Sequence, residues 1–454
     1  MKSLTDIVAG YNEKSLSPAK TVFTNLLEYS SYVVTSRAIP SMKDGMKPVQ
    51  RIAVWTIMQN GRGAKTKTLG LVGNMLSSGL YHHGDASATA AINMLAALYL
   101  NNRPFLTGYG AFGTVVSPKA FGAARYTSVG ISEFSRKNMM VDEELFNLVD
   151  STDGDAKMCE NFLPLIPTVL LNGSSGMSIG FSTDILPHSV NDLKKAVIRT
   201  IDGKTVSNIL PHFEKYDLDI TAIEGDRLSY FVAGKVKIHN STTVEIITNN
   251  PNLNQEKLKT HLFKLQDAGK IQSFEDQTSK KFSIFVKMKR SNMKDATEAS
   301  LVSLFKLRAK MTERLVTIGL DSKVRIYADH NELLPEWTAW RFAFYKKRYE
   351  AKLKNAQEKA SLYEDIIRCV QSKLPARLTS FKSKKELASA VQEICNRDRP
   401  QIVEMATYRW TDEEIEKTKT KLNDANSAIA EFQEIIDSEK LQKSIFKQEV
   451  KAIK

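Results

Sequence analysis

Two long apolar stripes dominate the second half of the chain. Phe342, Tyr345, Tyr349, Ala356, Ala360, Tyr363, Ile367, Val370 and Leu374 recur at helical steps of three, four or seven residues. Ile415, Thr418, Leu422, Ala425, Ile429, Phe432 and Ile436 form a second stripe, with Thr411 and Glu414 at capping-box spacing before it. A mixed segment, 375–409, joins them. The pattern predicts an antiparallel coiled coil (333–374 and 410–454) tipped by a small helical knob.

Earlier periodicities are shorter. Residues 1–30 read as a helical lead-in. Pro40 disfavours helix at Ile39, and Asp44-Gly45 marks a turn. Pro48 then opens a helix carrying Val54, Trp55, Ile57 and Met58, which stops at Asn60-Gly61. A linker with Arg62, Lys65 and Lys67 leads to a second helix through Leu69, Leu71, Val72 and Met75, ended by Gly79. A third is expected from an Asp85 N-cap through Ala86, Ser87 and the following alanines to Leu95. Its small side chains let that surface approach another body closely, whether a DNA groove or protein. Residues 150–154 read as a loop. Between 225 and 330 the pattern is α/β: strand-like 234–238 and 282–287 flank an amphipathic helix over Asn254 to Ala268. The expected fold class is thus multidomain α+β, divided into 1–30, 31–155, 156–332 and 333–454.

Composition adds a partner class. The 454 residues carry 64 Lys and Arg against 51 Asp and Glu, a net charge of +13. That surplus suits a polyanion, although many basic proteins bind none. No apolar run is long enough for a membrane span, and Met1 to Asp6 lack the apolar region of a signal peptide. Cys159, Cys369 and Cys395 are widely spaced, which suits a reducing cytoplasm, and the seven histidines show no ligand spacing.

Four stretches carry the candidate chemistry: Arg37-Ala38-Ile39-Pro40; Asp44 through Arg51; His82-His83-Gly84-Asp85; and Ala123-Ala124-Arg125-Tyr126-Thr127 after the glycine-spaced loop Gly108 to Gly113. In this order they resemble the breakage-reunion subunit of type IIA DNA topoisomerases, most closely its phage-type members. Asn172 through Gly180 resembles the family's Asn-Gly-Ser-Ser-Gly turn.

The resemblance implies a winged-helix DNA-gate domain at 31–155, an α/β tower at 156–332, and a coiled coil whose knob (375–409) forms a C-gate with a second copy. It implies reversible transesterification, with Tyr126 attacking a DNA phosphate to give a 5′-phosphotyrosyl link. A phenol ordinarily ionises near pH ~10, so attack needs help. Arg125 and Arg37 are the implied phosphate-facing cations, and His83 a donor or positioner. Lys47 and Arg51 match DNA-backbone contacts; Lys65, Lys67 and Ser87 join the expected DNA surface. An apolar residue at the Met177 position wedges between base pairs in relatives, while a core methionine beside a tight turn is the alternative.

No metal site is expected in this chain. Glu224-Gly225-Asp226 and Asp217-Leu218-Asp219 superficially resemble the family's acidic motifs, but in the wrong order and at the wrong spacing. There is no ATP-binding loop either. Mg2+ and ATP are therefore expected on a partner ATPase/TOPRIM subunit, with double-stranded DNA as substrate, a homodimer of this chain, and the cytoplasm, a host's if phage-encoded, as location. Gyrase's DNA-wrapping propeller has no counterpart here, so relaxation or decatenation is expected rather than supercoiling. A non-catalytic architectural DNA-binding dimer is the alternative; a tyrosine recombinase fits poorly, because Tyr126 lies early in the chain.

Overall fold

The structure is a computed structural model that describes residues 18–118, 120–151, 156–206, 209–279 and 281–454. Part of the expected lead-in and most of the expected 150–154 loop lie outside these residues. The chain divides into two compact units, 1–341 with 449–454, and 342–448. No described helix is long and apolar enough to cross a membrane.

In the first unit a helix at Pro18–Val33 runs into a wider π-type turn, Val34–Ala38. It ends at Ile39, held extended before Pro40. Three helices follow, Pro48–Gln59, Thr68–Ser77 and Asp85–Ala96. The first starts on Pro48, where the ring costs no hydrogen bond. Gly84, not Asp85, occupies the N-cap of the third. Asp85 instead sits in its first turn, where a carboxylate favours the helix dipole. The helices bury Ile57, Leu71, Met75, Ile92 and Leu95 against a three-stranded antiparallel sheet, with Ser128–Ile131 between Thr66–Lys67 and Leu106–Tyr109.

A hairpin pairs Ser174–Met177 with Ser182–Ile185. Farther along, Lys235–Asn240, Thr243–Thr248, Ile284–Lys287 and Ser273–Asp276 form a four-stranded sheet in that order. Its buried face takes Leu258, Leu262 and Leu265 from the helix Gln255–Asp267. That helix begins as expected at Asn254, whose side chain accepts from the Lys257 amide.

The long helix begins at His330, before the expected start at 333, and runs 42 residues to Gln371. Pro335 lies in its second turn, near enough to the end that little hydrogen bonding is lost.

In the second unit the two stripes meet antiparallel. Tyr345 packs on Phe446 (4.7 Å between ring centres), and Tyr349 lies 5.8 Å from Phe432. The second arm is interrupted: Asp412–Asp437 ends at Ser438, and Glu439–Ala452 starts anew. Thr411 is the N-cap, but its hydroxyl donates back to the Tyr408 carbonyl, so the expected capping box does not form. The knob closes around Ile366, Cys369, Leu374, Val391, Cys395, Ile402 and Ile415. Two cysteines distant in sequence are thus neighbours, with Cys369 and Cys395 Sγ atoms 3.6 Å apart as buried free thiols. Burial pushes the Cys369 thiol up to about 12, which keeps it protonated and unreactive.

Candidate functional site

Tyr126 stands at the tip of a turn closed by its own amide on the Ala123 carbonyl (2.8 Å). The turn is fastened on both sides to the N-terminus of the helix Thr68–Ser77. There the Thr68 amide donates to the Thr127 carbonyl (3.1 Å) and the Leu69 amide to the Ala124 carbonyl (3.2 Å). These are amides a helix cannot satisfy internally, so the turn caps the helix while the helix fixes the turn. Thr127 is buried and donates its hydroxyl to Thr68 (2.8 Å). Tyr126 itself is 71% exposed. The glycine-spaced loop lies behind it. Gly110 has φ +115°, and a Cβ there would meet the Thr127 methyl at 3.2 Å, so a side chain would push on the tyrosine-bearing turn.

Arg125 lies over its neighbour's ring, guanidinium carbon 4.7 Å from the Tyr126 centroid. Among the described residues no carboxylate pairs with Arg125 or hydrogen-bonds Tyr126. The cation therefore remains available to an anion approaching the phenol. Lys65 is exposed and sits over the Tyr109 ring (4.5 Å), and exposed Lys67 is the N-cap of the same helix.

A second group gathers around the Ser174–Ile185 hairpin. Lys47 Nζ donates to the Ser175 carbonyl (2.7 Å), and partial burial lowers its pKa. A Cβ on Gly176 would stand 2.2 Å from the Ala38 carbonyl, so this position needs glycine for close approach to the Arg37-bearing turn. Arg37 is exposed on that π-type turn, a distortion that is frequent at functional sites. Met177 is 87% exposed at the hairpin end, beside exposed Ile179. The core-methionine alternative is excluded. His83 receives a partner that sequence reasoning missed: Tyr32 Oη lies 3.1 Å from its Nε2. Ser87 is exposed in the first turn of the third helix. Among the described residues no hydrogen bond or ring contact joins Tyr126 to Arg37, Lys47 or His83.

The structure corrects two expectations. Arg51 does not face DNA: it is 7% exposed, with Nε 2.6 Å from Asp44 Oδ2 and a terminal nitrogen 2.8 Å from Oδ1. Burial opposes its charge, but Asp44 more than offsets this and raises its pKa. The histidines do converge although no spacing in the sequence joins them: His188 and His330 meet Glu313 in the interior, a group that could hold an ion. Burial drives the His188 pKa down to about 4. The acidic look-alikes, by contrast, are held by lysines. Asp217 and Asp219 both pair with Lys235 (2.6 and 3.4 Å), and Asp226 pairs with Lys310 (3.3 Å). These carboxylates do not fit a catalytic Mg2+ site, which needs oxygens free to coordinate.

Comparison with known proteins decides the family. The family of DNA gyrase and topoisomerase IV A-subunits matches residues 37–451. The chain belongs to this family. The medium subunit of the DNA topoisomerase of Enterobacteria phage T4 is 29% identical over 420 residues, covering 88% of this chain and 91% of that one. The DNA gyrase A-subunit of Metamycoplasma arthritidis is 27% identical, covering 95% of this chain but 51% of the gyrase chain. Among solved structures, the DNA-binding, cleavage and re-ligation domain of Plasmodium falciparum topoisomerase II shares the fold: TM-score 0.83, 21% identity, 97% of this chain and 64% of that one. The mixed α+β class expected from sequence is therefore shown, as is the type IIA topoisomerase family.

Proposed function

We propose that this chain is the DNA-cleaving and rejoining subunit of an ATP-dependent type IIA topoisomerase, acting as a homodimer on double-stranded DNA. The observation that carries this reading is an exposed Tyr126 on a turn clamped from both sides, with the unpaired Arg125 guanidinium over its ring. The phenol oxygen bonds to a backbone phosphorus as the bond from phosphorus to the 3′-oxygen breaks. The phenol loses its proton and the 3′-oxygen gains one. Reversal reseals the strand, because the ester conserves the bond. Arg125 stabilises charge on the transferring phosphoryl, and Arg37 supplies a second phosphate-facing cation. His83, held by Tyr32, positions or donates. Two strands require two tyrosines, hence two copies.

In this reading residues 31–155, which include the three helices packed on the three-stranded sheet, are the winged-helix gate. Residues 156–332 form the tower, and the knob at 375–409 the C-gate. Lys47, Lys65, Lys67 and Ser87 line the DNA path. In this reading Mg2+ and ATP belong to a partner ATPase/TOPRIM subunit. The cut serves strand passage, relaxing or decatenating DNA.

Arg125→Ala is expected to slow single-turnover cleavage about 10²–10³-fold, the usual cost of losing one preorganised charge-stabilising donor, with Arg125→Lys partly active. An Ala variant cleaving at the wild-type rate would remove Arg125 from the reaction. Met177→Ala is expected to leave folding intact, since the side chain is 87% exposed. It should cut the bend in bound DNA by at least ~20°, the low end for an intercalating wedge. Energy transfer across an end-labelled duplex reads this directly; an unchanged bend would rule out the wedge.

A further inference from the structure

We propose that His188, Glu313 and His330 form a binding site for a divalent transition-metal ion of the zinc class, with two imidazole nitrogens and one carboxylate oxygen as ligands. The site lies apart from Tyr126 and does not depend on how DNA is cut.

All three side chains are essentially inaccessible, at 0%, 0% and 1% exposure. Glu313 Oε2 lies 3.2 Å from His330 Nε2 and 3.9 Å from His188 Nε2, and each residue offers one ligand atom within 4.8 Å of the other two. Glu313 Oε2 and both Nε2 atoms have no hydrogen-bond partner. A carboxylate oxygen and two ring nitrogens left this way in an apolar interior are costly unless something satisfies them together. A cation satisfies all three at once.

Two of the three side chains have the outer contacts of a ligand, while His330 Nδ1 is buried without a hydrogen-bond partner. His188 Nδ1 donates to the Leu170 carbonyl (3.2 Å), which fixes the tautomer and leaves the Nε2 lone pair pointing at the other two groups. The Leu186 amide donates to Glu313 Oε1 (3.0 Å), turning Oε2 inward. Zinc bonds of ~2.0–2.1 Å set tetrahedral ligand atoms ~3.3 Å apart; the 3.2 Å between Glu313 and His330 matches this, and the 3.9 Å to His188 closes on binding. Two nitrogens and a single oxygen select against Mg2+ and Ca2+, which favour oxygen cages. Three protein ligands leave a fourth position for water.

The ligands come from three separated segments. His188 precedes the helix Val190–Ile201, Glu313 follows the strand Arg308–Thr312, and His330 is the first residue of the long helix. A bound ion would tie these together, a structural role.

The test uses the full chain equilibrated with Zn2+, freed of excess by gel filtration and assayed for metal by plasma mass spectrometry. About one ion per chain is expected, one for each three-ligand group. His330→Gln and Glu313→Gln, checked for folding by circular dichroism, are expected to bind at least ~10–100-fold more weakly, no less than the loss of an outer-shell partner costs. Should a variant fail to fold, Co2+ added to the wild-type chain carries the test: intense visible bands of a tetrahedral site are expected. A folded wild-type chain that retains no Zn2+, a folded variant that retains as much as wild type, or Co2+ bands of octahedral weakness would overturn the proposal. In that event the direct 3.2 Å contact of His330 with Glu313 accounts for the cluster.

Discussion

Replacing Tyr126 with Phe is expected to abolish covalent attachment of the protein to 5′ DNA ends. The substitution removes one oxygen from a side chain that is 71% exposed and that makes no hydrogen bond through that oxygen among the described residues. The turn is held by backbone bonds to Thr68 and Leu69 and by the buried Thr127 hydroxyl, none of which involves the phenol. Folding and DNA binding should therefore be unchanged, while cleavage falls by at least ~10⁴-fold, as expected when a nucleophile is lost outright. The assay combines this chain, the ATPase/TOPRIM subunit, Mg2+ and supercoiled plasmid, and scores protein-linked linear DNA after denaturant. If neither wild type nor variant forms such links while both bind and bend DNA, the architectural-dimer reading replaces the enzyme.

The second large effect concerns stability. Asp44 is fully buried and accepts from four groups: Nε and a terminal nitrogen of Arg51 (2.6 and 2.8 Å) and the amides of Met46 and Phe162 (both 3.1 Å). Asp44→Ala would strand a buried guanidinium and two amides. The expected loss is about 3–5 kcal/mol, the cost of breaking a buried pair from one side. Denaturant unfolding measures it. Asp44→Asn keeps one acceptor oxygen, enough for only one of the Met46 and Phe162 amides, and should cost less than Asp44→Ala. The same pair decides what Arg51 does. A phosphate contact would contribute ~1 to the salt dependence of DNA affinity, so removing it would flatten that slope. Arg51→Met is expected to lower stability and leave the slope unchanged.

What the sequence made legible follows from periodicity and local chemistry. Pro48 announced a helix start, the stretch from Asn254 an amphipathic helix, and the two aromatic-rich stripes an antiparallel pair now seen as Tyr345 on Phe446 and Tyr349 near Phe432. Tyr126 and Arg125 were singled out through motif order, and adjacency in sequence became stacking in space.

The rest was set by partners distant in sequence. Arg51 reads as a surface cation because nothing local reveals that Asp44 and the Phe162 amide meet it in the interior. His188, Glu313 and His330 lie too far apart for any spacing rule, and only the packing of three segments unites them. The break at Ser438 interrupts a stripe that is otherwise continuous in hydrophobicity. Exposure of Met177 depends on the hairpin standing clear of the core, which an apolar residue cannot signal by itself.

The central claim is that Tyr126 carries the DNA. Its most direct test is to trap the cleavage complex of the wild-type enzyme with denaturant, digest the DNA with nuclease and the protein with trypsin, and sequence the modified peptide by mass spectrometry. Cleavage after Arg125 and Arg136 releases a peptide whose one tyrosine is Tyr126. The nucleotide adduct is expected on that phenol oxygen, through its 5′-phosphate. An adduct on any other residue, or a linkage through a 3′-phosphate, would contradict the account.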